Sequence, residues 1–417
     1  MSQREVRVSQ NLNGVRYEIR GSLARRAEEL ERVGHEITKL NIGNPGAFGF
    51  QMPAIMRRAI VENLHQADPY CHQKGIFPAR EAVANQQHER GVRDVTADDV
   101  VIGNGVSELI MLCMRALLNA GDEVLVPCPD YPLWTAAVTI HGAKAVHYDC
   151  SPKNRFLPDL EQIEALINDR TRAIVVINPN NPTGAVYDRE LLQGLVDIAS
   201  RHGLVLFSDE IYDEILYDGA KHVPLATLGP GTLCATFSGL SKVYRACGLR
   251  VGWVSFSGEK ANAREYLNAV ELLASLRLCA NVPGQWAVQT ALGGYQSILD
   301  LTSPGGRLYE SRKALMDAVR GSEYLELAAP MGALYAFVRV KAERFQNFED
   351  TRFALDLLEQ QHVLIAPGTS FNVTYTDHFR TTFLPEAQKL RQVFERIDEL
   401  LYAYEHGVPS RRSRAHG

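Results

Sequence analysis

Short apolar runs alternate with helical patterns through the middle of the chain. VVIG (100–103) leads into SELIMLCMRALLNAG, where apolar residues recur at helical spacing. EVLVPCP (123–129) is followed by YPLWTAAVTIHG. In LPDLEQIEALIN (157–168), Leu160, Ile163 and Ile167 fall on one helical face, and Asp159 stands where an N-cap belongs. AIVVI (173–177), a helix near 189–202, LVLF (204–207), CATF (234–237) and VGWVSF (251–256) continue the series. Runs this short and apolar suit strands buried on both faces. Their alternation with helices from about residue 95 to 257 predicts βαβ units. The expected fold class is therefore α/β, a mostly parallel sheet with helices on both faces.

A long helical stretch is expected over 259–300. The last hundred residues mix helix with runs such as ALYAFVRV, which predicts a smaller α+β domain. SPGGR (303–307) reads as the linker. The expected division is an N-terminal segment, 1–55, packing with the small domain, a large domain, 56–302, and a small domain, 303–417. The end, RRSRAHG (411–417), is expected to be a frayed basic tail.

Composition narrows the classes. The chain has 417 residues, 46% apolar and 22% charged, which excludes a disordered or fibrous protein. A formal net charge of −5 gives no case for nucleic acid or an anionic membrane as partner. No apolar run approaches the ~18 residues of a spanning helix, and the first residues lack the apolar stretch of a secretory signal. The seven cysteines are odd in number and irregularly spaced, with no Cys-x-x-Cys. They read as reduced thiols in a cytoplasmic protein, mostly small core residues, and no metal site stands out.

In open α/β sheets ligands bind beyond the carboxyl ends of the strands, so the residues after each apolar run carry the chemistry. After VVIG comes Asn104-Gly105-Val106-Ser107, opening a helix. After AIVVI comes NPNNPTG (178–184). After LVLF comes Ser208-Asp209-Glu210-Ile211-Tyr212. After CATF comes Ser238-Gly239-Leu240-Ser241-Lys242, then Arg250. Each has a bland alternative. The first is an ordinary helix cap, the second a turn-rich loop, Asp209 an edge carboxylate paired with an arginine, and a lone lysine solvated surface. Taken together on one rim, a phosphate-binding helix start, an acid, an amide loop and a lysine are the parts a pyridoxal phosphate site needs. Rival motifs fail: Glu108 stands where a dinucleotide fingerprint wants glycine, and no phosphate-loop, nucleophile-elbow or S-x-x-K pattern occurs.

These segments, in this order, resemble the fold-type I pyridoxal phosphate-dependent aminotransferases of classes I and II. The resemblance runs from about residue 15 to 400. It rests on Tyr70 with Gly75, Gly105-Val106-Ser107, PDYPLW, NPNNPTG, SDEIY, SGLSK with Arg250 eight residues on, and His378-Phe379-Arg380. LNIGNPGAFGF (40–50), PDYPLWTAAV and LCANVPGQ are similar to the bacterial glutamate–pyruvate (alanine) branch in particular. By this resemblance Lys242 is the Schiff-base lysine and Asp209 the partner of the pyridine nitrogen. Asn181 and Tyr212 bond the cofactor's phenolic oxygen, and Tyr131 stacks on its ring. Gly105, Val106, Ser107, Ser241 and Arg250 form the phosphate cup. Tyr70 reaches the phosphate of a neighbouring subunit, which implies a homodimer with shared sites. Arg380 clamps the substrate α-carboxylate, helped by Gly43 and Asn181.

The implied activity is ping-pong amino transfer between L-alanine/pyruvate and L-glutamate/2-oxoglutarate. The alternatives are an aromatic or broad-specificity aminotransferase and a cysteine-conjugate β-lyase, since β-elimination needs no new residue. A cofactor-binding transcription regulator needs a helix-turn-helix module, for which residues 1–20 are too few. Dicarboxylate-specific relatives supply a second arginine from a segment like LRLCANVPG. Arg277 lies there, either in that role or as a surface or interdomain arginine.

Overall fold

The computed structural model describes residues 6–15 and 21–408, so the basic tail at 411–417 lies outside the described residues. The chain begins with α1 (Ser22–Arg32), β1 (Thr38–Lys39), α2 (Ala54–Asn63) and α3 (Phe77–Glu89). The α/β alternation follows: β2 (Val100–Gly103), α4 (Val106–Leu117), β3 (Glu123–Cys128), α5 (Leu133–Ile140), β4 (Lys144–Asp149) and α6 (Leu160–Leu166). It continues with β5 (Thr171–Ile177), α7 (Arg189–His202), β6 (Val205–Asp209), β7 (Cys234–Gly239) and β8 (Gly252–Ser257). Helices α8 (Arg264–Leu276), α9 (Val282–Gly293), α10 (Ile298–Thr302) and α11 (Arg307–Gly321) come next. The chain ends with β9 (Leu325–Glu326), β10 (Tyr335–Val340), α12 (Asp350–Gln361), β11 (Val363–Leu364), β12 (Ala366–Pro367), β13 (His378–Thr382) and α13 (Ala387–His406).

The expected α/β fold is present. Seven strands form one sheet in the order β2-β8-β7-β6-β5-β3-β4. The pairs β7–β6, β6–β5, β5–β3 and β3–β4 are parallel, and β8 runs antiparallel to both β2 and β7. Period-two alternation divides the aliphatic runs between the two faces. Ala173, Val175 and Ile177 pack with the Leu109, Cys113 and Val138 side of α4 and α5. Ile174 and Val176 pack with Ile163 of α6 and Leu192, Leu195 and Val196 of α7. Side-chain N-caps open α6 and α7, the first at the Asp159 that the sequence marks. The Asp159 carboxylate accepts from the N–H of Glu161 and Gln162, and that of Asp188 from Leu191. Each cap contributes on the order of 1 kcal/mol.

The second sheet, β12-β13-β10-β9, is antiparallel and carries α11, α12 and α13. β1 pairs in parallel with β11, which fastens the segment before residue 40 to this half of the molecule.

Three expectations need correction. The stretch 259–300 is three helices, not one. Leu278 takes a left-handed φ of 68°, Asn281 caps α9 with Pro283 in its first turn, and Gly293-Gly294 ends it. Ile167 lies just beyond the end of α6, leaving Leu160 and Ile163 as its inward face. Only Cys113, Cys150 and Cys234 are buried core residues; Cys71, Cys128, Cys247 and Cys279 are half-buried. Among the described residues no group of three side chains suits a metal ion, and no helix is long and apolar enough to cross a membrane.

Candidate active site

The carboxyl ends of β2, β5, β6 and β7 reach the same rim because β2, although bonded only to the reversed β8, runs parallel to them. β8 starts where the others end, so Arg250, two residues before it, arrives at that rim too. A cavity of about 650 Å³ lies there, closed by residues 42–44 and by β10 and β13 of the second sheet. Gly43, Val106, Ser107, Tyr131, Asn181, Asp209, Tyr212, Ser241, Lys242, Arg250 and Arg380 all line it. Gly105 lies just behind the cavity wall, against Arg250. Tyr70 is elsewhere in this chain and 76% exposed.

α4 opens on the rim with no side chain capping it, so the N–H groups of its first turn are left to a ligand. Gly105 precedes it at φ 85°, ψ 162°, a conformation essentially confined to glycine. A Cβ there would overlap the Arg250 guanidinium. Arg250 is itself left-handed, at φ 52°, and its Nη1 donates to the Cys247 carbonyl at 3.0 Å. Behind this cup stands a polar lattice. The Asn104 N–H donates to Glu108 Oε2 at 2.7 Å, and Asn281 donates to both Asn104 Oδ1 and the Arg250 carbonyl. Arg277 belongs to the lattice. Its Nε pairs with Glu108 Oε1 at 3.1 Å and its Nη2 donates to the Ile102 carbonyl at 2.9 Å. It is an internal tie beneath the helix start and does not line the cavity.

Asp209 ends β6, buried, and among the described residues no arginine pairs with it, so the bland reading of a paired edge carboxylate fails. Its Oδ2 accepts the Trp134 indole N–H at 3.1 Å, and its Oδ1 the N–H of Ile211 at 3.3 Å. Burial pushes its carboxyl up to about 6, opposed chiefly by the Trp134 hydrogen bond.

Lys242 donates from Nζ to the Gly43 carbonyl at 2.6 Å. Gly43 must be glycine because a Cβ would collide with the Tyr335 hydroxyl. Tyr212 donates its hydroxyl to that of Tyr335 at 3.3 Å. Burial lifts the Tyr212 hydroxyl well above the ordinary tyrosine range. Burial also acts on Tyr335, but the cations of Lys242 and Arg380 outweigh it and hold that hydroxyl below its usual value. Arg380 is 1% exposed. Its Nη1 donates to Asn181 Oδ1 at 2.9 Å and its Nη2 to the Asn41 carbonyl, while Nε has no partner. The guanidinium carbon lies 4.3 Å from the Tyr335 ring centre and 4.6 Å from that of Phe371. Among the described residues no carboxylate pairs with it.

Sequence reading missed Trp134, Tyr335, Asn41 and Cys247. Trp134 and Tyr335 sit inside apolar runs and read as core. The signal for Tyr335 was Gly43, a glycine that needs a bulky neighbour from far along the chain.

The family model for aminotransferases of class I and II matches residues 35–397. The Escherichia coli K12 glutamate-pyruvate aminotransferase AlaA is 50% identical over 396 residues, 95% of this chain and 98% of that protein. The Mycobacterium bovis alanine aminotransferase is 47% identical over 403 residues, 96% of this chain and 94% of its own. The crystal structure of an aminotransferase from Escherichia coli superposes with a TM-score of 0.95 at 49% identity, covering 96% of this chain and all of that one.

The cup geometry gives a direct test. Gly105→Ala forces a side chain into a glycine-only conformation, on the order of 1–3 kcal/mol, and displaces Arg250. The fold should survive, with affinity for pyridoxal 5'-phosphate reduced at least about tenfold in an absorbance titration. Unchanged affinity would remove Gly105 and Arg250 from the cup.

Proposed function

The chain belongs to the class I and II aminotransferases, and on that premise we propose that it moves an amino group between L-alanine/pyruvate and L-glutamate/2-oxoglutarate. The observation that carries the substrate assignment is the buried guanidinium of Arg380, which lines the cavity with no carboxylate partner among the described residues, while Arg277 is engaged by Glu108. One clamp suffices for alanine. Aspartate would leave its second carboxylate without a second arginine clamp, a penalty on the order of 1–3 kcal/mol or more. Glutamate carries its second carboxylate one carbon farther from Cα.

Enzymes of this family depend on pyridoxal 5'-phosphate, and the residues here fit it. The uncapped start of α4, Ser107, Ser241 and Arg250 suit a phosphate. A buried carboxylate without a cationic bonding partner suits a protonated pyridine nitrogen, and Tyr131 offers a ring face. When bound, the cofactor supplies the carbonyl that receives the amino group and a ring that draws electrons from the substrate Cα.

The protein's own groups do the rest. Asp209, as a carboxylate, holds the proton on the pyridine nitrogen, and a positive charge beside it favours its ionised form. Asn181 and Tyr212 would bond the cofactor's phenolic oxygen. Arg380 grips the substrate carboxylate through two parallel hydrogen bonds, which a lysine does not offer. That grip would fix the orientation of the substrate Cα and so favour removal of its proton. Lys242 is placed on the same cavity wall to take the proton from the substrate Cα as a base and, as its conjugate acid, would give it up again.

We propose a homodimer in which Tyr70 completes the partner's cup. Tyr70, Phe77, Leu272, Leu276 and Leu278 are all exposed. Gln73 and Lys74 both bond Glu271, which draws the two segments into one apolar patch. The seven unpaired thiols support a cytoplasmic location.

Two experiments follow. With a common keto acid, kcat/KM should be highest for alanine, ahead of aspartate and phenylalanine. A tenfold lead for phenylalanine, about 1.4 kcal/mol in transition-state binding, would make the enzyme an aromatic aminotransferase. Separately, Tyr70→Ala and Arg250→Ala chains, each weak alone, should regain activity when mixed under subunit exchange, because one site of the mixed dimer is intact. No recovery despite proven exchange would argue against shared sites.

A further inference from the structure

Trp134 lies one turn beyond Tyr131, wholly buried, with its ring edge-on to Phe237 at 5.3 Å and 5.9 Å from Phe207. That packing needs a large ring and no nitrogen. Yet the indole N–H is aimed at Asp209 Oδ2, 3.1 Å away. The other two tryptophans, Trp253 and Trp286, leave buried indole nitrogens with no partner, so this protein does not satisfy every indole as a matter of course. The one it satisfies meets the carboxylate on the cavity wall.

We infer that Trp134 is a positioning residue acting through Asp209, its N–H fixing one carboxylate oxygen and favouring the ionised group that meets the cofactor. The inference rests on the proposed role of Asp209. The aromatic cluster that excludes water around Asp209 also raises its pKa, and the indole hydrogen bond is the strongest influence against that rise. The other groups facing Asp209 are Glu210, next in the chain, which opposes ionisation, Lys242 after β7, which favours it, and the neutral hydroxyl of Tyr212. Glu210 is turned away, its carboxylate bonded by Ser208, His222 and the N–H of Leu225.

The sign of the pH effect follows. Asp209 is ionised above its folded-state pKa of about 6 and loses its charge as pH falls through that value. Removing the hydrogen bond that favours the charged form moves this loss to higher pH.

The test compares wild type, Trp134→Phe, Trp134→His and Asp209→Asn. Affinity for pyridoxal 5'-phosphate is measured from pH 5 to 8 by cofactor absorbance, alongside kcat and KM for alanine. In Trp134→Phe the pH at which affinity falls by half should rise by about one unit. Its kcat should fall about tenfold, and its KM should stay within about twofold. Trp134→His, which restores a nitrogen donor, should lie between. If the Trp134→Phe midpoint coincides with wild type, Trp134 is packing alone and the inference is overturned. If Trp134→Phe does not fold, Trp134→Leu, which also lacks a donor, decides: a wild-type midpoint there overturns the inference. Wild-type turnover in Asp209→Asn would instead overturn the role of Asp209, a result distinguishable from either.

Discussion

A buried cation with no carboxylate partner among the described residues holds this molecule's functional geometry together. Arg380 sits on β13 of the second sheet and donates to Asn181 in the loop after β5 and to the Asn41 carbonyl near the start of the chain. Three distant parts of the sequence therefore converge on one guanidinium. Neutral acceptors and two ring faces soften its desolvation, but a charge this deep normally comes with an anion. Arg380 lines a cavity that admits small molecules, so the most economical completion is a carboxylate arriving with the substrate. The clamp we propose is thus a consequence of how the two halves pack.

The rest of the site follows from one reversed strand. Because β8 runs against its neighbours, its start lies beside the ends of β2, β5, β6 and β7. Arg250 meets the opening of α4 there, and small residues make the approach possible. Gly105 leaves room for the guanidinium, and a Cβ on Gly252 would strike the backbone of Val106. The lattice of Asn104, Glu108, Arg277 and Asn281 then keeps the helix start and the Arg250 backbone in fixed relation.

Much of this was legible in the sequence, because strand ends announce themselves. Each apolar run stops at a polar motif, and those motifs supply the cavity-lining residues expected, from Ser107 to Lys242. Tertiary contacts from afar were not legible. Trp134 and Tyr335 lie in apolar runs where period and burial look like ordinary core, and their polar tips gain meaning only from Asp209, Gly43 and Tyr212. Arg277 has the composition of a substrate arginine, and only its distance from Glu108 shows that it is already engaged. The breaks in 259–300 depend on a left-handed Leu278, which no local preference for leucine foretells.

The most direct test of the account is Arg380→Lys, which keeps the charge and removes the forked geometry. The account predicts that kcat/KM for alanine falls at least about 100-fold, roughly 2.7 kcal/mol of transition-state binding, while the bound cofactor keeps its visible absorbance. A variant within about threefold of wild type would show that the buried guanidinium does not bind the substrate carboxylate, and the central claim would fail.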